Sequence, residues 1–122
     1  MPNPVVHFEI VSSDVGKSQS FFKELFDWHI EAMPMEGMPN MVYGMVDTHS
    51  EGISGGIGAS PDGQTHVTFY IEVDDLQAYL DKAESLGGKT VMPVTEIPGY
   101  VTLAMFSDPT GAVVGLVKNQ QQ

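Results

Sequence analysis

The 122-residue sequence predicts an α+β fold built from one unit, strand–helix–three strands (βαβββ), used twice. Two observations carry this. An alternating run followed by a capped amphipathic helix occurs at "VVHFEIVSSD" and again at "HVTFYIEVDD". Each helix is then followed by three short strand-like runs separated by turns rich in glycine and proline. The aspartates taken to open the helices, Asp14 and Asp74, lie 60 residues apart, and a unit that recurs at such a period is the strongest organisational signal in the chain.

In order, Val5 to Val11 alternates as a strand, and Asp14 offers a side-chain oxygen to cap a helix over Val15 to Asp27. On that helix Phe21, Phe22, Leu25 and Phe26 share one face by 3.6-residue periodicity and are expected in the core. Strands follow near Trp28–Met33, Met41–Val46 and Ile53–Ala59. The second unit opens at His66. Its helix runs from about Asp75 to Leu86, with Leu76, Tyr79, Leu80, Ala83 and Leu86 on the apolar face and Gly87-Gly88 ending it. Strands near Lys89–Met92, Tyr100–Phe106 and Ala112–Val117 complete it. The whole chain, residues 1–122, reads as a single domain with module one over about 1–60 and module two over about 65–119.

Sixteen acidic residues against five lysines give a net charge of −11, which repels phosphate backbones and argues against nucleic-acid binding. There is no arginine, the usual bidentate clamp for carboxylates and phosphates, so a neutral or cationic ligand suits the chain better than a nucleotide, coenzyme A or glutathione. No apolar run approaches the ~20 residues of a membrane span, and no secretory leader is evident, so no membrane partner and a cytoplasmic location are expected. The absence of cysteine removes disulfides, thiolate metal sites and a cysteine nucleophile.

The strings "HFEIVSSD…FFKELFDW", "VDDLQAYLDKAESLGG", "TEIPGY" and "SDPTGAVVGLV", in this order and spacing, resemble the vicinal oxygen chelate superfamily of glyoxalases, extradiol dioxygenases and bleomycin resistance proteins. The resemblance spans nearly the whole chain. It implies two modules forming a curled mixed sheet around a concave cavity, commonly completed by dimerisation, and a homodimer is expected.

Strand alternation puts His7, Glu9 and Val11 on one face and Phe8 and Ile10 on the other, so if Phe8 and Ile10 pack on the helix, His7 and Glu9 face the cavity. In metal-dependent members a ligand sits seven residues before the first capping aspartate, and His7 has that spacing from Asp14. The resemblance places the other three ligands at Thr68, within Ser54–Gly58, and at Gly115, where no metal-binding side chain stands. His66 is displaced from the Thr68 position by ~7 Å of strand rise. A divalent site needs three or four converging ligands, so no metal or other cofactor is expected, with a shifted divalent-ion site through His7, Glu9 and His66 as the alternative.

His7 then reads as a cavity-wall or hydrogen-bonded histidine, and Glu9 as a solvated carboxylate or as a ligand contact and candidate base. His66, Thr68 and Tyr70 form the equivalent polar wall of module two, and Gly115 with the glycine-rich fourth strand replaces ligand side chains with space. "GISGG" matches the G-x-S-x-G nucleophile elbow in letters, but no helix follows the serine. "HFE" opens like a zinc deaminase, without the cysteines that site needs. Phosphate-binding and dinucleotide fingerprints are absent. "MPMEGMPNM" gathers four methionines in nine residues, a core-edge filler or dimer contact. With Trp28, Tyr43 and Tyr100 it could also form an apolar cavity mouth.

Two functions remain. One is a metal-independent, bleomycin-resistance-like protein whose cavity binds a small, partly apolar, neutral or cationic molecule. The other is a divalent-metal-dependent lyase or isomerase related to lactoylglutathione lyase, in which the ion polarises a carbonyl and a carboxylate such as Glu9 moves the proton.

Overall fold

The computed structural model describes residues 2–35, 38–47, 52–97 and 101–118. The element order is β1 (Val5–Ser12), α1 (Val15–Phe26), β2 (His29–Met35), β3 (Met38–Asp47), β4 (Ser54–Ala59), β5 (His66–Val73), α2 (Leu76–Ser85), β6 (Lys89–Ile97), β7 (Val101–Ser107) and β8 (Val113–Lys118). This is the α+β arrangement of two βαβββ modules. Contacts divide the chain into a unit of residues 7–67 and a unit of residues 68–122 joined by residues 1–6. The first residues attach to the second unit through the Glu72 amide, which donates to the Pro4 carbonyl at 2.9 Å, and through the Asn3 side-chain amide, which donates to the Tyr79 hydroxyl at 3.1 Å.

Within module one the strand order is β2-β3-β4-β1. Strands β1 and β4 run parallel with His7 opposite Ser54 and Glu9 opposite Gly56, while β2–β3 and β3–β4 are antiparallel. Asp14 caps α1 by accepting the Lys17 amide at 3.1 Å. Asp27 ends it in the left-handed conformation at φ 60°, its amide donating to the Lys23 carbonyl at 2.9 Å. Ile10, Val46 and Ile57 form the buried core, with Phe8, Phe22, Trp28 and Ile30 packed against it. At Gly44 a Cβ would lie 2.8 Å from Ile30 and collide with Gln19, so this glycine lets α1 close on β3, where the Gln19 side-chain amide donates to the Ile57 carbonyl at 3.1 Å.

Module two repeats the order as β5-β8-β7-β6, with β5 and β8 parallel and the other pairs antiparallel. Val73, Leu76, Leu80, Ala104 and Leu116 form its core, joined by Ile71, Tyr79 and Phe106. The cap of α2 is Asp75, not Asp74: its carboxylate accepts the Ala78 amide at 3.1 Å. Two adjacent aspartates offered the same chemistry, and the phase that buries Leu76 and Leu80 selects the second.

Two further expectations change. Of the four apolar residues on one face of α1, Phe22 alone packs on the core; Phe21, Leu25 and Phe26 are exposed, because the sheet covers a narrower arc than the pattern spans. Leu86, past the last turn of α2, is 70% exposed rather than part of the buried face.

Candidate functional site

Phe8 and Ile10 join the helix-side core of module one, so alternation along β1 turns His7 and Glu9 to the opposite face. On β3, Gly44 and Val46 face α1, and Tyr43 therefore shares the face of His7. Nε2 of His7 and the Tyr43 hydroxyl share a hydrogen bond of 2.9 Å. The Tyr43 ring lies against β4: a Cβ on Gly56 would strike the phenol end of the ring, and one on Gly58 would approach its Cδ1 at 2.8 Å. Glycines at alternate positions of β4 thus form a flat bed for an aromatic ring from the neighbouring strand. Burial holds the His7 imidazole below the ordinary histidine range, a shift that the Glu9 carboxylate partly opposes by favouring the charged ring.

Module two has a related arrangement. Cap to cap, His7 precedes Asp14 by the same interval as Thr68 precedes Asp75, so Thr68 and Tyr70 occupy the positions of His7 and Glu9. Thr68 is buried, and its hydroxyl donates to the Val113 carbonyl at 3.0 Å. Tyr70 is also buried, and its ring lies over Gly115 on β8, where a Cβ would strike it. Gly56 opposite Glu9 and Gly115 opposite Tyr70 are therefore matching positions of the two modules. The glycines do not leave open space, as their sequence suggested, because tyrosine rings cover both. His66 shares the strand face of Thr68 and Tyr70 but is exposed at the start of β5.

Among the described residues no group of three or more His, Asp or Glu is gathered as a metal site. The side chains of Met33–Met41, and Tyr100, lie outside the described residues. On the helix side of module two, Ile71, Tyr79, Leu86, Phe106 and Pro109 help line a cleft of about 330 Å³. Its walls are almost wholly apolar, and the Asp108 carboxylate at its edge is occupied within its own turn by the amides of Thr110 and Ala112 and the Thr110 hydroxyl.

Tyr43 is the site residue that sequence reasoning placed only at a cavity mouth. The available signal was the Gly56–Gly58 spacing, since glycines at i and i+2 of a strand leave one face open to a ring from next door.

The family model described as Glyoxalase/Bleomycin resistance protein/Dioxygenase superfamily matches residues 5–116. The chain belongs to this superfamily. A Mycobacterium tuberculosis (strain CDC 1551 / Oshkosh) protein named "Putative glyoxylase CFP32" is 30% identical over 112 residues, covering 88% of this chain and 42% of that protein. The "Anthracycline biosynthesis protein DnrV" of Streptomyces peucetius is 26% identical over 125 residues, covering 91% and 45%. The chain thus spans less than half the length of these curated relatives. Among solved structures, methylmalonyl-CoA epimerase from Mycobacterium tuberculosis superposes with a TM-score of 0.66 at 14% identity, covering 96% of this chain and 88% of that one. That likeness is one of superfamily fold.

Proposed function

We propose that this glyoxalase-superfamily chain binds a small, partly apolar, neutral or cationic molecule on the face formed by His7, Glu9 and Tyr43, by hydrogen bonding and aromatic contact rather than through a metal ion. The observation that carries this reading is the His7–Tyr43 hydrogen bond laid over Gly56 and Gly58. It engages the imidazole of His7, the one residue matching the ligand spacing that the resemblance implies, and lays a phenol over the Ser54–Gly58 stretch of β4.

The residues at the four implied ligand positions do not fit a divalent ion. His7 offers an imidazole already bonded to a phenol, and Thr68 a hydroxyl already donated to a carbonyl. Ser54–Gly58 and Gly115 supply no carboxylate, and a side chain at Gly56 or Gly115 would collide with Tyr43 or Tyr70. An ion there would have too few ligands to displace its water. Within the proposal, Glu9 favours a ligand that is neutral or carries positive charge, in keeping with a chain of net charge −11 and no arginine. The same proposal retains a cytoplasmic location and a homodimer.

One finding favours a second reading, a lyase or isomerase of glyoxalase type: the 30% identical relative carries the name glyoxylase. On the module-one face, His7, Glu9 and Tyr43 are groups able to move a proton, and strand pairing puts His29, Glu31 and Asp47 on the same face of β2 and β3.

Thermal-shift screening separates the two. The panel would hold size-matched neutral, cationic and anionic aromatic amphiphiles, an anthracycline among them, each with and without zinc, nickel or manganese. The proposal expects neutral or cationic members to raise Tm without metal, and Tyr43→Phe and His7→Asn to reduce the shift. Binding by anionic members alone, or by metal-loaded protein alone, overturns it.

A further inference from the structure

The cleft on the helix side of module two plays no part in the module-one reading. A helix packed on a sheet normally closes to near-crystalline density, yet about 330 Å³ stays open here. Ile71, Tyr79 and Phe106 pack against the module-two core and remain only partly buried where they line the opening, and Leu86 stands 70% exposed beside them. Contacts that need no occupant set the walls. Gly87, at φ 100°, turns the chain out of α2, and at Gly88 a Cβ would collide with the Ser107 carbonyl, so the end of the helix rests on the end of β7. The Tyr79 hydroxyl accepts the Asn3 side-chain amide at 3.1 Å, and the Pro4 carbonyl beside it accepts the Glu72 amide at 2.9 Å. A preformed apolar cleft with few polar groups is the usual form of a small-molecule site.

The polar groups around the cleft indicate what fills it. The carbonyls at the end of α2 are taken: the Leu86 amide donates to those of Lys82 and Ala83 at 3.1 Å, and the Gly87 amide to that of Glu84 at 3.2 Å. The neighbouring carboxylates are engaged as well. Asp108 accepts the donors of its own turn, Asp81 the Gln77 side-chain amide at 3.0 Å, and Glu84 the Thr90 hydroxyl at 2.6 Å. Lys82 also lines the cleft and differs from all of these. The residues three and four positions away are Ala78, Tyr79, Ser85 and Leu86, none of them acidic, and among the described residues the Lys82 ammonium has no hydrogen-bond or ion-pair partner. Lysine lays its aliphatic stem along apolar surface and keeps its charge at the edge. An apolar floor thus meets one uncommitted positive charge. The net charge of −11 acts on it weakly, because salt screens exposed charges beyond about 8 Å under physiological conditions.

We propose that this cleft is a second binding site, for a small apolar monocarboxylate, with the hydrocarbon against Ile71, Leu86 and Phe106 and the carboxylate on Lys82. A single carboxylate needs one cation and no bidentate clamp, so the lack of arginine does not oppose it. The site goes beyond the module-one reading and uses none of its residues.

The test is isothermal titration calorimetry with amide NMR on the full chain. The probes are decanoate, as the alkyl acid, and phenylbutyrate, as the aryl acid, each below its aggregation concentration, with decanol and decylammonium as matched neutral and cationic controls. Wild type is expected to bind at least one of the acids with a submillimolar Kd, shifting the amides of Ala83, Leu86 and Phe106 and leaving those of His7 and Tyr43 in place. Lys82→Gln should weaken that binding on the order of tenfold or more, and Lys82→Arg should retain it. Lys82 is an exposed helix position, and circular dichroism with thermal melts checks that both variants fold. Failure of both acids to bind wild type overturns the proposal. So do shifts centred on His7 and Tyr43, decanol or decylammonium binding as tightly as decanoate, or an affinity indifferent to Lys82→Gln. Any of these results leaves the module-one reading to its own screen.

Discussion

Nε2 of His7 and the hydroxyl of Tyr43 lie 2.9 Å apart, joining β1 to β3 across 36 residues of chain and over the intervening strand β4. A hydrogen bond on that geometry requires β4 to present no side chain beneath the phenol. Gly56 and Gly58 meet that requirement. The pair therefore links the identity of the histidine, the tyrosine and two glycines in one arrangement.

The first prediction concerns protonation of His7. Burial lowers its folded-state pKa and Glu9 opposes the shift. The unfolded chain, with a pKa near the ordinary 6.5, takes up the proton first as pH falls. The stability of wild type relative to His7→Gln should be complete above about pH 6.5 and decline as pH drops through 6.5 toward the lower folded value. NMR titration of the imidazole should show the depressed pKa directly, and Glu9→Gln should push it lower still. An imidazole titrating above 6.5 in the folded protein would refute the burial argument.

The glycine beds predict a second set of effects. Gly56→Ala and Gly115→Ala place a methyl against the Tyr43 and Tyr70 rings and should each destabilise by about 1–3 kcal/mol in urea unfolding. Gly16→Ala, on α1 with its nearest neighbour atom 4.0 Å from the new methyl, should be neutral or slightly stabilising in the same assay. Adding Tyr43→Ala to Gly56→Ala should recover part of the loss, since the two residues touch. Additive effects in that cycle would mean the ring does not rest on Gly56.

Capping provides a third. Asp75→Ala should cost about 1 kcal/mol, the usual effect of removing an N-cap acceptor, and Asp74→Ala much less. Equal losses would return the helix start to the position that spacing alone suggested.

These particulars show what the sequence made legible. The repeated unit, the helix spans and the turn of His7 and Glu9 away from the helix-side core follow from local periodicity, which each segment carries in itself. What local pattern could not reach depends on neighbours distant in sequence. Whether Asp74 or Asp75 caps α2 is decided by which phase buries Leu76 and Leu80. How much of the Phe21–Phe26 arc is covered depends on the width of the sheet beneath it. That Gly115 is a bed for Tyr70 rather than open space depends on the β5–β8 register. The His7–Tyr43 bond is of the same kind, a contact set by strand order.

The central claim, that His7 belongs to a phenol-bonded recognition face and not to a metal centre, is tested most directly by elemental analysis of protein purified without chelator, for wild type and His7→Ala in parallel. The account predicts no stoichiometric divalent ion in either preparation and a retained fold in the variant. About one zinc, nickel, manganese or iron per chain in wild type, lost on His7→Ala, would contradict it and leave the glyoxalase-type enzyme as the better description.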